Sequence, residues 1–597
     1  MKCVREVCEK NAWEKCVGEM RERNASSRER KGSRGGKEES KQSERSGGRE
    51  SVARAEIIAE ALRKTAKGTA LAFFGLLLFG ILDFASKVLI ARHASQAEYG
   101  IFSLALSLLQ ICTILSCLGL QAATPRCIAF FRGRGEFEKA RGIVFASLQL
   151  ALIASVLCGA SLFLASPLLT TLFHLPASAT QIFQIFAISL PFSVAVEILA
   201  SVFRGYDRVQ EKVIFRDILS NVLKVLFIVS AIALGYAFLG IICAYLLAII
   251  TASLLFFAYT SRKIELKGGR RGERAEEKQK ESKEGKGQGA KRAKREQEEW
   301  EEEWGASRGG SGESLKEIRK KLLVFSVPLL IANVSSVLVL RMDTFMLGYF
   351  KTAEIVGLYN AAQPIAQLIQ IFLTSMVFIY VPIASQLYSK NLIEEMRRCY
   401  TVLTKWIFSA TFPLFLLMFL FPEDVLRIFF GSAYVSAASA LRILAIGMLF
   451  HVFFGPSAST LIVIGKTKLN MVDNIVGIFV NAVLNIILVP ILGIIGAAIS
   501  TTTSLAAING LKTAQIFKIH GIHPFTTKYF KPILTSCVFA SIIYAFIAFL
   551  DQIDVKVMIL LLFLFSLAQI FCLILTRSLE YEDIMIISEI KKMLKGI

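Results

Sequence analysis

Long apolar stretches of about 20 residues alternate along the chain with short polar or charged gaps. Each stretch is long enough for an α-helix to cross the hydrocarbon core of a bilayer. Apolar residues are continuous within a stretch, which disfavours a transmembrane β-barrel. The pattern predicts an all-α integral membrane protein with about fourteen transmembrane helices. The predicted spans are 68–91, 100–123, 142–166, 179–203, 214–235, 238–260, 322–350, 357–383, 401–421, 436–458, 472–491, 494–515, 531–550 and 556–576.

The composition agrees with this interpretation, because 54% of the 597 residues are hydrophobic and only 19% are charged. A soluble globular protein carries about 25% charged residues. The net charge of +21 would suit a soluble nucleic-acid-binding protein, but the basic loops of a membrane protein explain it better, so we expect no nucleic-acid partner. The cysteines contain no metal-type CxxC pair, and we expect neither a metal nor a cofactor.

Lysine and arginine fall mainly in every second gap between spans. The gaps after the even-numbered spans are basic, whereas the gaps 172–180, 235–240 and 490–494 carry few charges. Basic loops stay on the cytoplasmic side of a membrane. This alternation predicts an even number of spans, both termini in the cytoplasm and a multi-pass protein of the cell (plasma) membrane.

The apolar part contains an internal repeat with a nearly constant offset of 256 or 257 residues. Gly100 matches Gly357 at the larger offset, and Asp217 matches Asp473 at the smaller one. Spans 1–6 are therefore repeated as spans 7–12 in parallel orientation. The predicted organisation is a disordered charged cytoplasmic tail over 1–63, a six-helix bundle over 64–263, a charged low-complexity cytoplasmic linker over 264–316, a second six-helix bundle over 317–520, two additional transmembrane helices over 521–580 and a cytoplasmic tail over 581–597.

Two parallel six-helix bundles related by an axis along the membrane normal are typical of transporters. In such proteins the substrate path lies between the bundles, and rocking of the bundles gives alternating access. Residues and spacing alone thus predict a transporter with a two-fold repeat.

Three segments carry a resemblance to a known family. They are ARHASQAEYGIFSLALSLLQI at 91–111, RMDTFMLGYFKTAEIVGLYNAAQPI at 341–365 and NAVLNIILVPILGIIGAAISTTTSL at 481–505. With these segments and its fourteen-span layout, the chain resembles the Wzx-type polysaccharide (O-antigen or teichoic acid) flippases. Their superfamily also contains the multidrug (MATE) exporters and the lipid II flippases.

The resemblance implies a flippase that moves a lipid-linked oligosaccharide from the cytoplasmic to the outer leaflet. Its partners would be that glycan, membrane lipids and polysaccharide-assembly proteins. A MATE-like, cation-coupled exporter of small organic or drug-like molecules is the alternative. An enzyme is disfavoured, because the outward gaps are short and no GxSxG, HExxH or phosphate-cradling GxxxxGK[ST] motif stands in a usable context.

Polar side chains recur at helical spacing within span 8. Spacings of three and four residues place them on one face, which must point at protein or water. Span 2 repeats this face more weakly around Gln110. The face either lines a cavity that binds sugar hydroxyls or holds neighbouring helices together. Its members are Asn360, Gln363, Gln367, Gln370 and Thr374.

Charged residues within the predicted spans are the stronger pointers, because a charge at the membrane centre costs at least about 2.5 kcal/mol unless it has a partner or a wet cavity. Asp83 and Lys87 are one helical turn apart and are expected to pair. Arg341 and Asp343 face different ways on their helix, so one is expected to face the cavity and the other a neighbouring helix. The remaining candidates are Glu197, Lys224 and Arg126, the last at the cytoplasmic end of span 2.

These residues suggest a division of labour in transport. Arg341 and Lys87 are expected to neutralise a phosphate, and the amides to hold sugars. A carboxylate among Asp83, Glu197 and Asp343 would take a proton or a sodium ion and bias the conformational equilibrium. A second stripe in span 11, formed by Asn474, Asn481 and Asn485, is interpreted as helix packing.

Overall fold

The computed structural model describes residues 75–265 except 134, residues 315–525, residues 554–575, and the single residues 537, 538, 541 and 545. Every regular element within these residues is a helix, which confirms the all-α class. The predicted tails and most of the linker lie outside the described residues, as do the start of span 1 and most of span 13. The domain boundaries therefore stay a prediction.

Residues 75–265, apart from 134, form eight α-helices and one π-helical turn of the N-terminal half. In chain order they are α1 (75–92), α2 (Gln96–Ser116), α3 (Leu120–Gly133), α4 (Phe137–Leu172), α5 (Ser178–Gly205), α6 (Val209–Lys212), the π-helix Val213–Leu219, α7 (Ser220–Ala233) and α8 (Phe238–Glu265).

The C-terminal half follows with the same mixture of long and short helices. They are α9 (Leu315–Phe350), α10 (Ala353–Gln367), the 3₁₀ turn Leu368–Gln370, α11 (Ile371–Ser389), α12 (Ile393–Leu420), α13 (Pro422–Phe429), the 3₁₀ turn Ser432–Ala437, α14 (Ala438–Phe453), α15 (Ser457–Val463), α16 (Thr467–Leu492), α17 (Ile494–His520) and, after an interval that is mostly undescribed, α18 (Val555–Leu575).

Ten helical segments of the described ranges are long and apolar enough to cross a membrane. An eleventh candidate is α9, whose parts Leu322–Ser335 and Val337–Phe350 are bent by 47°. The Ser335 hydroxyl donates a 2.8 Å hydrogen bond to the Ile331 carbonyl one turn earlier, a contact that often bends helices. The predicted total of fourteen spans is not tested by these residues.

Helices packed together in one half have packed counterparts in the other. In the N-terminal half, α5 packs against α4 and α8, and α8 packs against α7. In the C-terminal half, α14 packs against α12 and α17, and α17 packs against α16. The order of helix contacts is thus duplicated, as the sequence repeat predicts.

The two halves meet where α2 crosses α10. A Cβ atom added to Gly100 would lie 1.8 Å from the carbonyl oxygen of Ala353, and one added to Gly357 would lie 2.1 Å from the carbonyl oxygen of Gln96. At the offset of 257, Gln96 is the counterpart of Ala353 and Gly100 is the counterpart of Gly357. Reciprocal contacts between matched residues are the signature of a two-fold axis. A pseudo-two-fold axis therefore passes between these glycines.

Candidate functional site

A cavity of about 220 Å³ lies between α1 of the N-terminal half and the α10–α11 region of the C-terminal half. The Asp83 and Lys87 side chains approach it from α1, and Gln367 and Gln370 approach it from the C-terminal half. Four predicted site residues are thus brought together. The full lining is Leu76, Phe79, Gly80, Asp83, Phe84, Lys87, Pro364, Gln367, Leu368, Gln370, Ile371, Thr374 and Ser375.

Asp83 and Lys87 form the ion pair that their spacing predicts. The Lys87 Nζ atom lies 2.7 Å from Oδ2 of Asp83, with 13% of the lysine side chain and 30% of the aspartate side chain exposed. Asp83 also interacts electrostatically with Lys224 and Arg341. Asp83 thus has one cation in direct contact and two more in electrostatic interaction, and these four side chains carry a net charge of +2.

Arg341 and Lys224 reach this charge cluster from different helices. On α9, Arg341 donates a 2.8 Å hydrogen bond from Nε to Oε1 of Gln110 on α2. On α7, Lys224 donates a 3.3 Å hydrogen bond to Oδ1 of Asn221. The Lys224 ammonium also lies 5.4 Å from the centre of the Tyr245 ring, within cation–π distance. Cations from both halves thus converge on the group around Asp83.

The polar face predicted for span 8 is split in two by the structure. Gln367 and Gln370 line the cavity. Asn360 and Gln363 are only 4% and 3% exposed, and they bond to α9: Gln363 donates to the carbonyl of Leu340 at 3.1 Å, and Asn360 accepts from Thr344 at 3.2 Å. One part of the stripe therefore lines a cavity and the other part bonds to a neighbouring helix. Binding of sugar hydroxyls stays a prediction.

Asp343 lies away from this cavity, inside the C-terminal half. Its side chain is fully buried and accepts hydrogen bonds from four residues: Tyr359 at 2.5 Å, Asn485 at 2.8 Å, Asn481 at 3.3 Å, and the Thr501 hydroxyl. We name Asp343, Tyr359, Asn481, Asn485 and Thr501 the Asp343 cluster. Arg341 and Asp343 thus face different surroundings, as their helical spacing predicts.

The Asp343 cluster has the chemistry of a small-cation site. Four hydrogen-bond donors face the buried carboxylate of Asp343, and the fully buried Oδ1 of Asn485 has no hydrogen-bond partner in the described chain. Rotation of an asparagine amide by 180° exchanges its nitrogen for an oxygen. One carboxylate with amide and hydroxyl oxygens is the oxygen-rich donor set that hard cations prefer.

Glu197 belongs to a separate charge network, on the part of the N-terminal half around the π-helix. Arg216 of that helix lies 2.8 Å from Oε1 of Glu197 and 3.0 Å from Oδ1 of Asp217. Lys212 lies 3.3 Å from the other oxygen of Asp217. Arg126 is exposed on α3. Neither Glu197 nor Arg126 lines the cavity at α1.

Tyr359 and Thr501 are site residues that sequence reasoning missed, and Asn481 and Asn485 were interpreted only as packing residues. Asp473, Gly477, Asn481 and Asn485 follow one another at intervals of four along α16. Small and polar residues at that interval form one narrow helix face. This spacing could have indicated a polar helix face from the sequence alone. That the face contacts Asp343 could be learned only from the folded chain.

Two family models match the chain, one in each half. The polysaccharide biosynthesis protein family matches residues 65–283, and the MatE family matches residues 328–487. Together the two matches cover most of the described helices on either side of the undescribed interval.

Two curated proteins illustrate the similarity. The uncharacterized membrane protein MJ1068 of Methanocaldococcus jannaschii is 30% identical over 189 residues, which cover 31% of this chain and 37% of that protein. The probable low-salt glycan biosynthesis flippase Agl15 of Haloferax volcanii is 28% identical over 212 residues, which cover 34% of this chain and 43% of that protein. The chain spans less than half the length of these relatives.

Among solved structures, the lipid II flippase MurJ in an inward closed conformation matches with a TM-score of 0.59 at 14% identity, over 87% of this chain and 99% of that chain. At this identity the likeness shows the fold. Fold and helix content define an all-α multi-pass membrane protein. Together with the two family models, they confirm the resemblance predicted from the sequence, to polysaccharide flippases, MATE exporters and lipid II flippases.

Proposed function

We propose that this protein flips a lipid-linked oligosaccharide from the cytoplasmic to the outer leaflet of the cell membrane by alternating access. The observation that carries the proposal is the charge of the group around Asp83, where Lys87, Lys224 and Arg341 face a single carboxylate. This surplus of positive charge lies at the contact between the two halves and suits an anionic cargo. The polysaccharide family match and the flippase named among the relatives support the same function.

The cargo chemistry follows from the side chains that line the cavity and from Arg341, which does not line it but interacts electrostatically with Asp83. A guanidinium such as that of Arg341 binds a phosphate through two parallel hydrogen bonds, and a lysine such as Lys87 acts as a point charge. Gln367 and Gln370 offer amide donors and acceptors for sugar hydroxyls. The lipid tail would remain in the bilayer between helices while the head group crosses. No bond is made or broken, so the proposed activity is transport and not catalysis.

Alternating access needs a pivot and an energy source. The close crossing at Gly100 and Gly357 supplies the pivot, because both backbones touch there without intervening side chains. We assign the coupling role to the Asp343 cluster, where a proton or a sodium ion would bind the carboxylate. A ligand shifts a conformational equilibrium by its difference in affinity between the two states. Cation binding at Asp343 would therefore bias the angle between α9 and the α16–α17 pair.

The proposed transport direction requires a source of cargo on the cytoplasmic side, and the proposed topology places both termini on that side. The distribution of lysine and arginine supports cytoplasmic termini in the plasma membrane. The donor of the cargo would be a membrane-bound glycan-assembly enzyme on the cytoplasmic side. On this topology the exposed Arg126 of α3 lies on the cytoplasmic side, where it would meet anionic head groups.

Export of small organic cations is the second candidate, and the MatE match makes it worth testing. Such a cargo needs a net acidic cavity. Asp83 is the carboxylate among the cavity-lining residues, and Lys87 already pairs with it. The observed charges therefore favour the anionic cargo.

Reconstitution of the purified full-length protein into liposomes tests both candidates. The substrates are a fluorescent lipid-linked sugar with a pyrophosphate, the same sugar on a neutral lipid, and a cationic dye. The proposal predicts movement of the pyrophosphate-linked sugar above protein-free liposomes and little movement of the other two. Movement of the dye alone would establish the exporter, and equal movement of both sugars would remove the role of the cationic group.

A further inference from the structure

The interface between α16 and α17 carries a ladder of residue pairs, one pair per helical turn. Asn481 on α16 lies against Ser504 on α17, with 3.4 Å between Nδ2 and the serine hydroxyl. One turn further along α16, Gly477 lies against Ile508. The helices are antiparallel, so each step of four residues down α16 matches a step of four residues up α17. This ladder connects the Asp343 cluster to the other end of the interface.

A second buried polar group stands at that other end. Asp473 is 2% exposed and accepts a 2.7 Å hydrogen bond from Gln515. Lys512 is 5% exposed and donates a 2.8 Å hydrogen bond to Asn474. The Oδ2 atom of Asp473 and the Oε1 atom of Gln515 are buried without a hydrogen-bond partner among the described residues. The Lys512 ammonium also interacts electrostatically with Asp473. A cation that reaches the two unpaired oxygens would therefore have to compete with this ammonium for Asp473.

A single aliphatic layer separates the two polar groups. A Cβ atom added to Gly477 would lie 1.9 Å from Cδ1 of Ile508, so the isoleucine side chain fills the space that a side chain at 477 would occupy. Ile508 is 5% exposed. The torsion χ1 of isoleucine is nearly fixed in a helix, but rotation about χ2 moves Cδ1 out of the notch. The layer can therefore open without unfolding either helix.

The N-terminal half has the same helix packing without an aliphatic layer like that of Gly477 and Ile508. At the offset of 256, Asn221 and Ala252 are the counterparts of Gly477 and Ile508. Asn221 is buried and donates a 2.8 Å hydrogen bond to the carbonyl of Asp217. A polar residue thus occupies the matched position where helices of the same topology pack. The C-terminal half thus has an aliphatic contact where the N-terminal half has a buried amide.

We propose that the α16–α17 interface is the path by which a monovalent cation moves between the Asp343 cluster and the predicted cytoplasmic end of the protein, with Ile508 as its gate. The inference rests on the coupling role proposed for Asp343. Twelve residues separate Asp473 from Asn485, which is about 18 Å at 1.5 Å per residue. Because Asp343 is fully buried, a cation needs a polar route of this kind to leave it.

The test measures cation exchange by the full-length protein in liposomes. Isotopic sodium exchange and proton flux reported by an entrapped pH dye are recorded separately, so the two cations are distinguished. Ile508→Ala removes the gate, and we expect exchange of the coupled cation to become about tenfold faster. Leu511→Ala is the matched control, because Leu511 is 41% exposed on the outer face of the same helix. Ile508→Val, which removes only one methyl group, guards against loss of folding.

The outcomes separate the path from the coupling site. The path is supported if Asp343→Asn abolishes exchange, Ile508→Ala accelerates it and Asp473→Asn slows it. If Asp343→Asn abolishes exchange while Ile508→Ala matches Leu511→Ala, the cation reaches Asp343 by another route, and the path is wrong while the coupling site stands. If the wild-type protein and Asp343→Asn behave alike towards both cations, the coupling site is wrong and the path falls with it.

Discussion

Arg341 and Gln110 join the two halves of the protein through a hydrogen bond of 2.8 Å between Nε and Oε1. This hydrogen bond uses one of the five N–H donors of the Arg341 guanidinium. The two terminal nitrogens keep the fork geometry that fits a phosphate. Gln110 thus orients the fork, and Asp83 supplies a counter-charge that a phosphate can replace.

Replacement of Arg341 by alanine should strongly reduce flipping. A hydrogen bond to a charged group contributes about 1.5–3 kcal/mol, which corresponds to a loss of about 10- to 100-fold in rate or affinity. Flipping of a fluorescent lipid-linked sugar in liposomes measures the effect. Arg397→Ala is the control, because Arg397 is 40% exposed and its pair with Glu394 is 3.7 Å long. Full activity of Arg341→Ala would remove this residue from the binding site.

The Asp83–Lys87 pair should respond asymmetrically to substitution. Asp83→Asn keeps the size of the side chain and leaves all three cations, so we expect flipping to continue with an unchanged or higher apparent affinity. Lys87→Met removes a cation and leaves the carboxylate without its closest partner. Breaking a largely buried pair by removing one partner costs about 3–5 kcal/mol. Either single variant breaks the pair, so melting temperatures in detergent should fall for both, whereas flipping rates should fall for Lys87→Met only.

The double variant Asp83→Asn/Lys87→Met provides the control for that pair. When both members of the pair are replaced, neither charge is left without its closest partner, so the melting temperature should lie above that of the less stable single variant. Flipping should stay low, because the cavity still lacks a cation. Recovery of flipping in the double variant would show that Lys87 serves only to neutralise Asp83.

Sequence periodicity identified some site residues because it depends only on local geometry. Asp83 and Lys87 are four residues apart on one helix, so their pairing follows from helical geometry alone. The stripe of span 8 was less predictable. Gln367 and Gln370 lie at the end of α10 and in the 3₁₀ turn that follows it, where the cavity is. Asn360 and Gln363 lie earlier on α10, where α9 packs against it.

Partners that lie far apart in the sequence could not be predicted. Glu197 pairs with Arg216 on a different helix, because a π-helical turn rotates the arginine towards α5. The Asp343 cluster draws its donors from α10, α16 and α17, up to 158 residues away. Such contacts follow from how helices pack, which single-helix periodicity does not encode. The repeat was predictable because duplicated positions keep a fixed offset.

Asp343→Asn should separate coupling from folding. The amide has the shape of the carboxylate but no charge, and one of the donors around it must lose its acceptor. We expect a loss of about 1–3 kcal/mol in the free energy of unfolding and the disappearance of any dependence of flipping on a sodium or proton gradient. Asp207→Asn is the control, because Asp207 is 83% exposed. A gradient dependence that survives in Asp343→Asn would move the coupling site elsewhere.

The crossing of α2 and α10 makes the clearest structural prediction. The Cβ atom of Gly100→Ala would lie 1.8 Å from the Ala353 carbonyl oxygen, and that of Gly357→Ala would lie 2.1 Å from the Gln96 carbonyl oxygen. Neither neighbour is the end of a flexible side chain, so the two helices must separate, at a cost of about 1–3 kcal/mol. Because the contacts are reciprocal, both variants should lower the melting temperature by similar amounts and impair flipping.

Gly133→Ala is the matched control for the crossing. Gly133 is also helical, but a Cβ atom added there would meet nothing within 4 Å. Alanine at an unobstructed helical glycine restricts the unfolded chain and stabilises a protein by about 0.4–1 kcal/mol. Its melting temperature should therefore stay equal or rise, and flipping should be normal. If Gly100→Ala and Gly133→Ala behave alike in both measurements, the halves do not pivot on this crossing, and the contact for alternating access must lie elsewhere along α2 and α10.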